Sequence, residues 1–153
     1  MSVSLTTRPR RGTEVDGESY WFVSREEFER RLKAGRILEY AEAYGGQWYG
    51  TPAEPVAEAL EAGRLVILEI EINGAMQVKK RMPEAVGVYM LAPSPRDQQS
   101  RLAGRREDSA AAMAERLSKA DGEIRYAQES GAYDHFVVNR DVDETVEALK
   151  GIV

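Results

Sequence analysis

The chain has 153 residues, the length of one globular domain, and its 42% hydrophobic and 31% charged residues are ordinary for such a fold. It has no cysteine, which excludes disulfides, a thiolate nucleophile and a zinc–sulfur site, and no apolar run near the length of a membrane span, so the cytoplasm and no membrane partner are expected. A net charge of −5 with local arginine clusters favours small anionic ligands over nucleic acid. The single histidine, His135, lies beside an apolar run, which argues against a Ser/His/Asp catalytic mechanism.

The N-terminal segment, residues 2–20, combines Arg8, Arg10 and Arg11 with hydroxyl side chains, a turn and a tyrosine. Guanidinium groups match phosphate oxygens bidentately, and hydroxyl groups add further donors. The segment therefore indicates an oxyanion site. Taken alone, it is equally compatible with a solvated basic arm or with one that touches nucleic acid.

Hydrophobic periodicity, caps and turn residues predict an alternation of helices and strands. The predicted elements are, in order, a helix from the Ser24 capping box to Gly35, strands over 37–44 and 47–51 joined by Gly45-Gly46, a helix over 55–62, a strand over 65–68, a helix over 75–81, a strand over 86–91, a helix from Ser94, a helix over 109–128, a strand over 136–138 and a helix from Asp141 to Ile152. The apolar runs 65–68, 86–91 and 136–138 are expected to be strands buried in a parallel sheet. An α/β fold with a small mixed subdomain before residue 52 follows.

Three later segments complete a pattern that resembles the guanylate kinase family. They are Ile37-Leu38-Glu39-Tyr40-Ala41, Trp48-Tyr49-Gly50-Thr51 and Leu68-Glu69-Ile70-Glu71-Ile72-Asn73-Gly74-Ala75, which follow the N-terminal segment in the family's order. The resemblance implies a single domain over 1–153 with a P-loop-kinase-like parallel sheet flanked by helices. In that domain, residues 5–52 form a GMP-binding subdomain, 53–93 and 117–153 the core, and 94–116 an arginine lid.

The resemblance also assigns a guanine site. Guanine offers adjacent N–H donors along one edge and the acceptor O6, so carboxylates can accept from it and hydroxyls can donate to it. Adenine lacks that donor pair, and buried polar groups left unpaired give large discrimination. By resemblance, Glu39 and Glu71 read the donor edge, while Ser4 and Thr51 reach O6. Taken singly, either glutamate could be an ordinary surface carboxylate. The prediction therefore depends on the whole set of residues occurring in the family's order.

The phosphate ligands that the resemblance implies are Arg8, Arg11, Tyr20 and Tyr49. Spacing favours Arg11 over Arg10 as the second arginine without deciding between them. Tyrosines at such positions could also be hairpin packing residues.

Residues 101–109, followed by Arg116, resemble the mobile lid of the family. Phosphoryl transfer needs aligned reactants and dispersed positive charge on the moving group, and arginines that close over the site supply both. The resemblance implies Arg101, Arg105, Arg116 and the shared Arg8 as catalytic groups, with Arg105 and Asn139 contacting ATP. ATP with Mg²⁺ is the implied phosphoryl donor, with no metal-binding residues in the chain. From this segment alone, a solvated helix face remains an alternative.

The sequence contains no Gly-x-x-x-x-Gly-Lys-[Ser/Thr] loop to hold ATP phosphates. The resemblance starts directly after Met1, so the family's first strand and P-loop, about 30 residues, are expected to be absent. ATP-dependent phosphorylation of GMP to GDP is the predicted function, impaired in this chain alone. A non-catalytic phosphopeptide-binding module and a decayed paralogue stay open as alternatives, as does the oligomeric state.

Overall fold

The computed structural model describes residues 1–43, 45–103 and 122–152, and its contacts divide the chain into two units, Met1–Pro83 and Glu84–Val153. The strands are β1 (Leu5–Thr6), β2 (Trp21–Phe22), β3 (Ile37–Ala43), β4 (Gln47–Pro52), β5 (Val88–Leu91) and β6 (His135–Val138). The helices are α1 (Arg25–Lys33), α2 (Ala53–Glu61), α3 (Ile72–Arg81), α4 (Pro95–Ala103), α5 (residues 122–129) and α6 (Val142–Lys150). The mixed α/β architecture agrees with the prediction, although α2 and α3 begin before their predicted starts at residues 55 and 75.

The first unit is built on a four-stranded sheet with the strand order β2-β1-β4-β3. Strand β1 is parallel to β2 and antiparallel to β4, and β3 and β4 form an antiparallel hairpin. The hairpin turns through Gly45 and Gly46, whose φ angles of 82° and 73° are in the left-handed region that favours glycine. The predicted hairpin is confirmed, and Tyr44, its predicted last strand residue, lies outside the described residues.

Side-chain alternation separates a packing face of this sheet from a polar face. Leu5 lies opposite Gly50, and Thr6 lies opposite both Tyr49 and Phe22. Side chains of directly opposed residues project from the same face of a sheet, and neighbours along a strand project from opposite faces. Thr6, Tyr49 and Phe22 therefore share the polar face, and Leu5 belongs to the packing face.

Helix α1 covers the packing face. The Ser24 hydroxyl accepts a backbone N–H of the first turn at 3.1 Å, which confirms the predicted cap. Phe28 is fully buried against Leu5 and Ile37, and burial of a phenylalanine side chain contributes about 1.5–3 kcal/mol. A Cβ at Gly50 would lie 2.9 Å from the Phe28 ring, so only glycine permits this approach of helix and sheet.

The predicted buried strand over 65–68 is wrong. The Ile67 carbonyl accepts a hydrogen bond from the Ser2 N–H at 3.0 Å, but the segment belongs to neither of the two sheets within the described ranges. Leu65 and Ile67 are 67% and 56% exposed. A strand buried on both faces needs ladder partners and covering helices. The apolar run predicted burial without specifying which strand would pair with it.

The second unit contains the parallel pair β5 and β6, with Val88 opposite His135 and Leu91 opposite Val138. Both predicted strands are present, although β5 begins at residue 88 and not at residue 86. Their predicted burial is not observed, because Val86, Met90 and Val138 are 51%, 42% and 41% exposed. The Asp141 carboxylate caps α6 as predicted, accepting two backbone N–H groups at 2.9 and 3.2 Å. Of the predicted helix over 109–128, residues 109–121 lie outside the described ranges and the rest is helical. None of the described helices is long and apolar enough to cross a membrane.

Candidate functional site

The polar face of the four-stranded sheet brings together several of the predicted site residues. Glu39 of β3 lies opposite Thr51 of β4, and Tyr49 is two residues from Thr51, so all three project from this face. Extending the register between β1 and β4 by one pair places Ser4 opposite Thr51. Four of the eight residues predicted to bind substrate therefore lie in two adjacent rows of one sheet face.

Glu39 is the buried carboxylate of this face, with only 4% of its surface exposed. The Thr51 hydroxyl donates to Glu39 Oε1 at 2.6 Å. Burial raises the pKa of Glu39, the Thr51 hydrogen bond opposes that rise, and the charge of the nearby Glu71 adds to it. A Cβ on Gly74, in the first turn of α3, would overlap Glu39 Oε2, so this glycine makes room for the carboxylate.

Two side chains of α3 hold the backbone on both sides of Glu39. Gln77 Oε1 accepts the Tyr40 N–H at 3.2 Å, and Gln77 Nε2 donates to the Tyr40 carbonyl at 2.8 Å. Arg81 Nη1 donates to the carbonyls of the two residues before Glu39, at 2.8 and 2.6 Å. The Gln77 carboxamide thus pairs with the edge of β3 as a neighbouring strand would. These contacts fix the direction in which Glu39 points.

Arg8 is the buried cation of the same face, 5% exposed. Its Cζ lies 5.2 Å from the ring centroid of Tyr20 and 5.7 Å from that of Phe22. Arg8 Nε donates to the Tyr49 hydroxyl at 3.1 Å, and the rings of Tyr20 and Tyr49 meet edge to face with centroids 5.8 Å apart. A guanidinium flanked by two phenols has the donors and the shape to bind a phosphate group.

Glu14 forms a bidentate ion pair with Arg8. Arg8 Nη1 donates to Oε2 at 2.8 Å and Nη2 to Oε1 at 2.6 Å, while Oε2 also accepts the Arg11 backbone N–H at 2.8 Å. The hydrogen bond to Arg8 lowers the pKa of Glu14 to about 2, and the same contact raises the pKa of Arg8. Arg10 and Arg11 are both exposed, so the choice of Arg11 as second phosphate ligand stays a prediction.

The acidic and cationic parts of the face lie close to each other along β4. Thr51, which pairs with Glu39, and Tyr49, which pairs with Arg8, are two residues apart, about 7 Å along the strand. This arrangement suits a ligand that carries hydrogen-bond donors at one end and an anionic group at the other.

In the second unit, Arg101 and Asn139 are in contact. Arg101 Nη2 donates to the Asn139 carbonyl at 2.8 Å, and the Asn139 N–H donates to the Leu91 carbonyl at 2.8 Å. Asn139 follows β6, so the pair lies at the carboxyl ends of parallel strands, where α/β proteins commonly bind ligands. The other two predicted lid residues, Arg105 and Arg116, lie outside the described residues.

Sequence reasoning missed Glu14 and Gln77. Glu14 follows Arg11 by three residues with Gly12 between them, a turn-like spacing that returns an acidic side chain to the arginines. Gln77 has no comparable signal, because its partner is a backbone amide 37 residues away.

Comparison with known proteins gives a consistent result over nearly the whole chain. A family model described as guanylate kinase matches residues 1–153. The chain is 47% identical over 152 residues to the guanylate kinase of Lactococcus lactis subsp. lactis, covering 99% of this chain and 72% of that protein. It is 45% identical over 149 residues to the guanylate kinase of Nostoc sp., covering 97% and 73%. The crystal structure of guanylate kinase from Anaplasma phagocytophilum superposes with a TM-score of 0.80 at 34% identity, over 99% of this chain and 72% of that one.

Proposed function

This chain belongs to the guanylate kinase family of nucleoside monophosphate kinases, and from this membership we propose that it serves the ATP-dependent phosphorylation of GMP to GDP. The observation that carries the proposal is the polar sheet face, where the Glu39–Thr51 pair lies two residues along β4 from the Arg8–Tyr49 pair. GMP has the matching chemistry, with N–H donors on its base and a dianionic phosphate.

The carboxylate of Glu39 is the main determinant of guanine selection in this proposal. Thr51 donates its only hydroxyl proton to Glu39 when no ligand is bound. Guanine N–H groups take over that role, and the Thr51 proton, with Ser4, turns to O6. Glu71 accepts a further N–H from the base. Adenine would place an acceptor against Glu39, so a buried carboxylate oxygen would face another acceptor and gain no hydrogen bond.

The phosphate of GMP is held by Arg8, Arg11, Tyr20 and Tyr49. Tyr49 accepts a hydrogen bond from Arg8 through its oxygen, so its own proton is available to a phosphate oxygen. Burial of Arg8 strengthens its attraction for an anion, because water screens the pair less.

Phosphoryl transfer depends on the lid arginines Arg101, Arg105 and Arg116, and Arg105 and Asn139 contact ATP. Mg²⁺ accompanies the ATP phosphates; within the described ranges no group of three or more acidic or histidine side chains could hold a metal ion.

Since the 153-residue sequence contains no Gly-x-x-x-x-Gly-Lys-[Ser/Thr] loop, we expect this polypeptide by itself to bind GMP but to form GDP slowly. The cytoplasm remains the predicted location.

The test is calorimetry of the purified chain with GMP and with AMP, followed by a coupled assay of GDP formation. Measurable GMP binding with AMP at least about 10-fold weaker is expected, since one buried hydrogen bond to a charged group is sufficient for that difference. Equal affinity for the two nucleotides would refute the guanine site. Rapid GDP formation by this polypeptide would refute the expected impairment and leave the GMP site in place.

A further inference from the structure

We propose that Glu14 is a positioning residue of the phosphate site, which holds one end of the Arg8 guanidinium so that the opposite edge faces the phosphate of GMP. The inference rests on the proposed function, because it concerns how that phosphate is bound. Glu14 itself does not touch the phosphate.

The hydrogen bonds of Arg8 define which edge is occupied. The two Nη atoms donate to the two carboxylate oxygens of Glu14 at 2.8 and 2.6 Å, and the second Nη1 proton goes to the Pro9 carbonyl at 2.9 Å. A guanidinium has five N–H groups in a fixed plane. The Nε–H and the remaining Nη2–H therefore share the one edge that Glu14 leaves open.

That open edge faces the aromatic part of the polar face. Nε donates to the Tyr49 hydroxyl at 3.1 Å, and the guanidinium lies over the rings of Tyr20 and Phe22. A phosphate bound there would accept the remaining Nη2–H of Arg8 and the proton of the Tyr49 hydroxyl, which itself accepts from Nε. Glu14 and a phosphate can thus occupy two different edges of Arg8 at the same time.

The same carboxylate also shapes the turn that carries Arg11. Oε2 of Glu14 accepts the Arg11 N–H at 2.8 Å, and the Glu14 N–H donates to the Arg11 carbonyl at 3.0 Å. The Glu14 side chain therefore contacts both Arg8 and Arg11, the two arginines proposed to bind phosphate. With its pKa lowered to about 2, Glu14 stays ionised at neutral pH and acts as a constant support, not as a pH switch.

The experiment compares GMP with guanosine, which lacks the phosphate, in calorimetry of the wild-type chain and of Glu14→Gln and Glu14→Asp. The ratio of guanosine Kd to GMP Kd measures the phosphate contribution alone. The glutamine variant removes the charge, and the aspartate variant keeps it while shortening the reach. Glu18→Gln, an exposed carboxylate in the same segment, controls for net charge. Far-UV circular dichroism and thermal unfolding check that each variant is folded.

We expect both Glu14 variants to lower that ratio by about 10-fold, the value of one charge-assisted hydrogen bond, with guanosine binding and the Glu18 control unchanged. An unchanged ratio in both folded variants would overturn the positioning role while leaving the proposed function intact. Tighter GMP binding by Glu14→Gln would also overturn it, since Glu14 would then compete with phosphate for Arg8. A wild-type chain that binds GMP no better than guanosine would refute the phosphate site itself.

Discussion

A Glu39→Gln substitution tests the guanine site most directly, because it removes the charge and leaves the side-chain volume almost unchanged. In the structure, Oε1 of Glu39 accepts a hydrogen bond from the Thr51 hydroxyl, with the two oxygens 2.6 Å apart, and Oε2 lies against Gly74. A carboxamide has only one acceptor oxygen, so at least one guanine N–H would meet an NH₂ group. The loss of a charge-assisted hydrogen bond and the resulting unpaired donor together cost about 3 kcal/mol, which corresponds to about 100-fold in the Kd for GMP.

The stability of the ligand-free chain is expected to move the other way. Burial raises the pKa of Glu39, which means that the folded state disfavours its charge. The neutral glutamine should therefore leave the free energy of unfolding unchanged or raise it. Calorimetry with GMP and urea unfolding at neutral pH measure the two effects, and Glu42→Gln, exposed on the same strand, is the matched control. A Glu39→Gln chain that binds GMP within about threefold of wild type would refute the assignment.

Three further predictions concern the same face. Guanosine binding should weaken as pH falls through the raised pKa of Glu39, which lies above its ordinary value of 4.5, because the protonated carboxyl group donates where it must accept. The free energy of unfolding of the ligand-free chain should instead fall as pH rises through that pKa. A Glu39→Gln chain should show neither pH dependence. Gly74→Ala should weaken GMP binding by about 10-fold, because the added Cβ would displace Glu39 Oε2. Gly122→Ala is the control, since a Cβ at Gly122 meets open space and should not change GMP binding. Wild-type affinity for GMP in a folded Gly74→Ala chain would contradict the close packing of Gly74 and Glu39. Gln77→Met should raise the GMP Kd by about 10-fold through loss of two hydrogen bonds to Tyr40. Gln77→Glu should raise it at least as much, because its second carboxylate oxygen would face the Tyr40 carbonyl, which is also an acceptor. Kd values equal to that of the wild-type chain for both variants, by calorimetry, would exclude a positioning role.

The sequence signals that proved correct are local ones. The Ser24 cap, the Gly45-Gly46 turn and the Asp141 cap each depend on residues within a few positions of one another, so one sequence contains the whole cause. The pairing of Glu39 with Thr51 follows from such a turn, because the hairpin register brings them opposite each other.

The failures concern partners that are distant along the chain. The apolar run around Ile67 indicates burial but contains nothing about which strand would pair with it, and Leu65 and Ile67 are exposed in the structure. Gln77 contacts a backbone amide, which any residue at position 40 would present, so no side-chain pattern could reveal it. Local turn chemistry can be read from a single sequence, whereas docking of a helix onto a strand edge cannot.

The separation of the sheet into two faces has a consequence for how this protein can change over evolutionary time. Leu5 and Gly50 pack against α1, while their immediate neighbours Thr6, Tyr49 and Thr51 project to the other side. Substitutions on the polar face can therefore change the ligand contacts while leaving the packing of α1 against the sheet as it is. An insertion of a single residue in β1 would move its side chains to the opposite faces of the sheet. We therefore expect changes in ligand preference to arise by substitution and seldom by insertion or deletion.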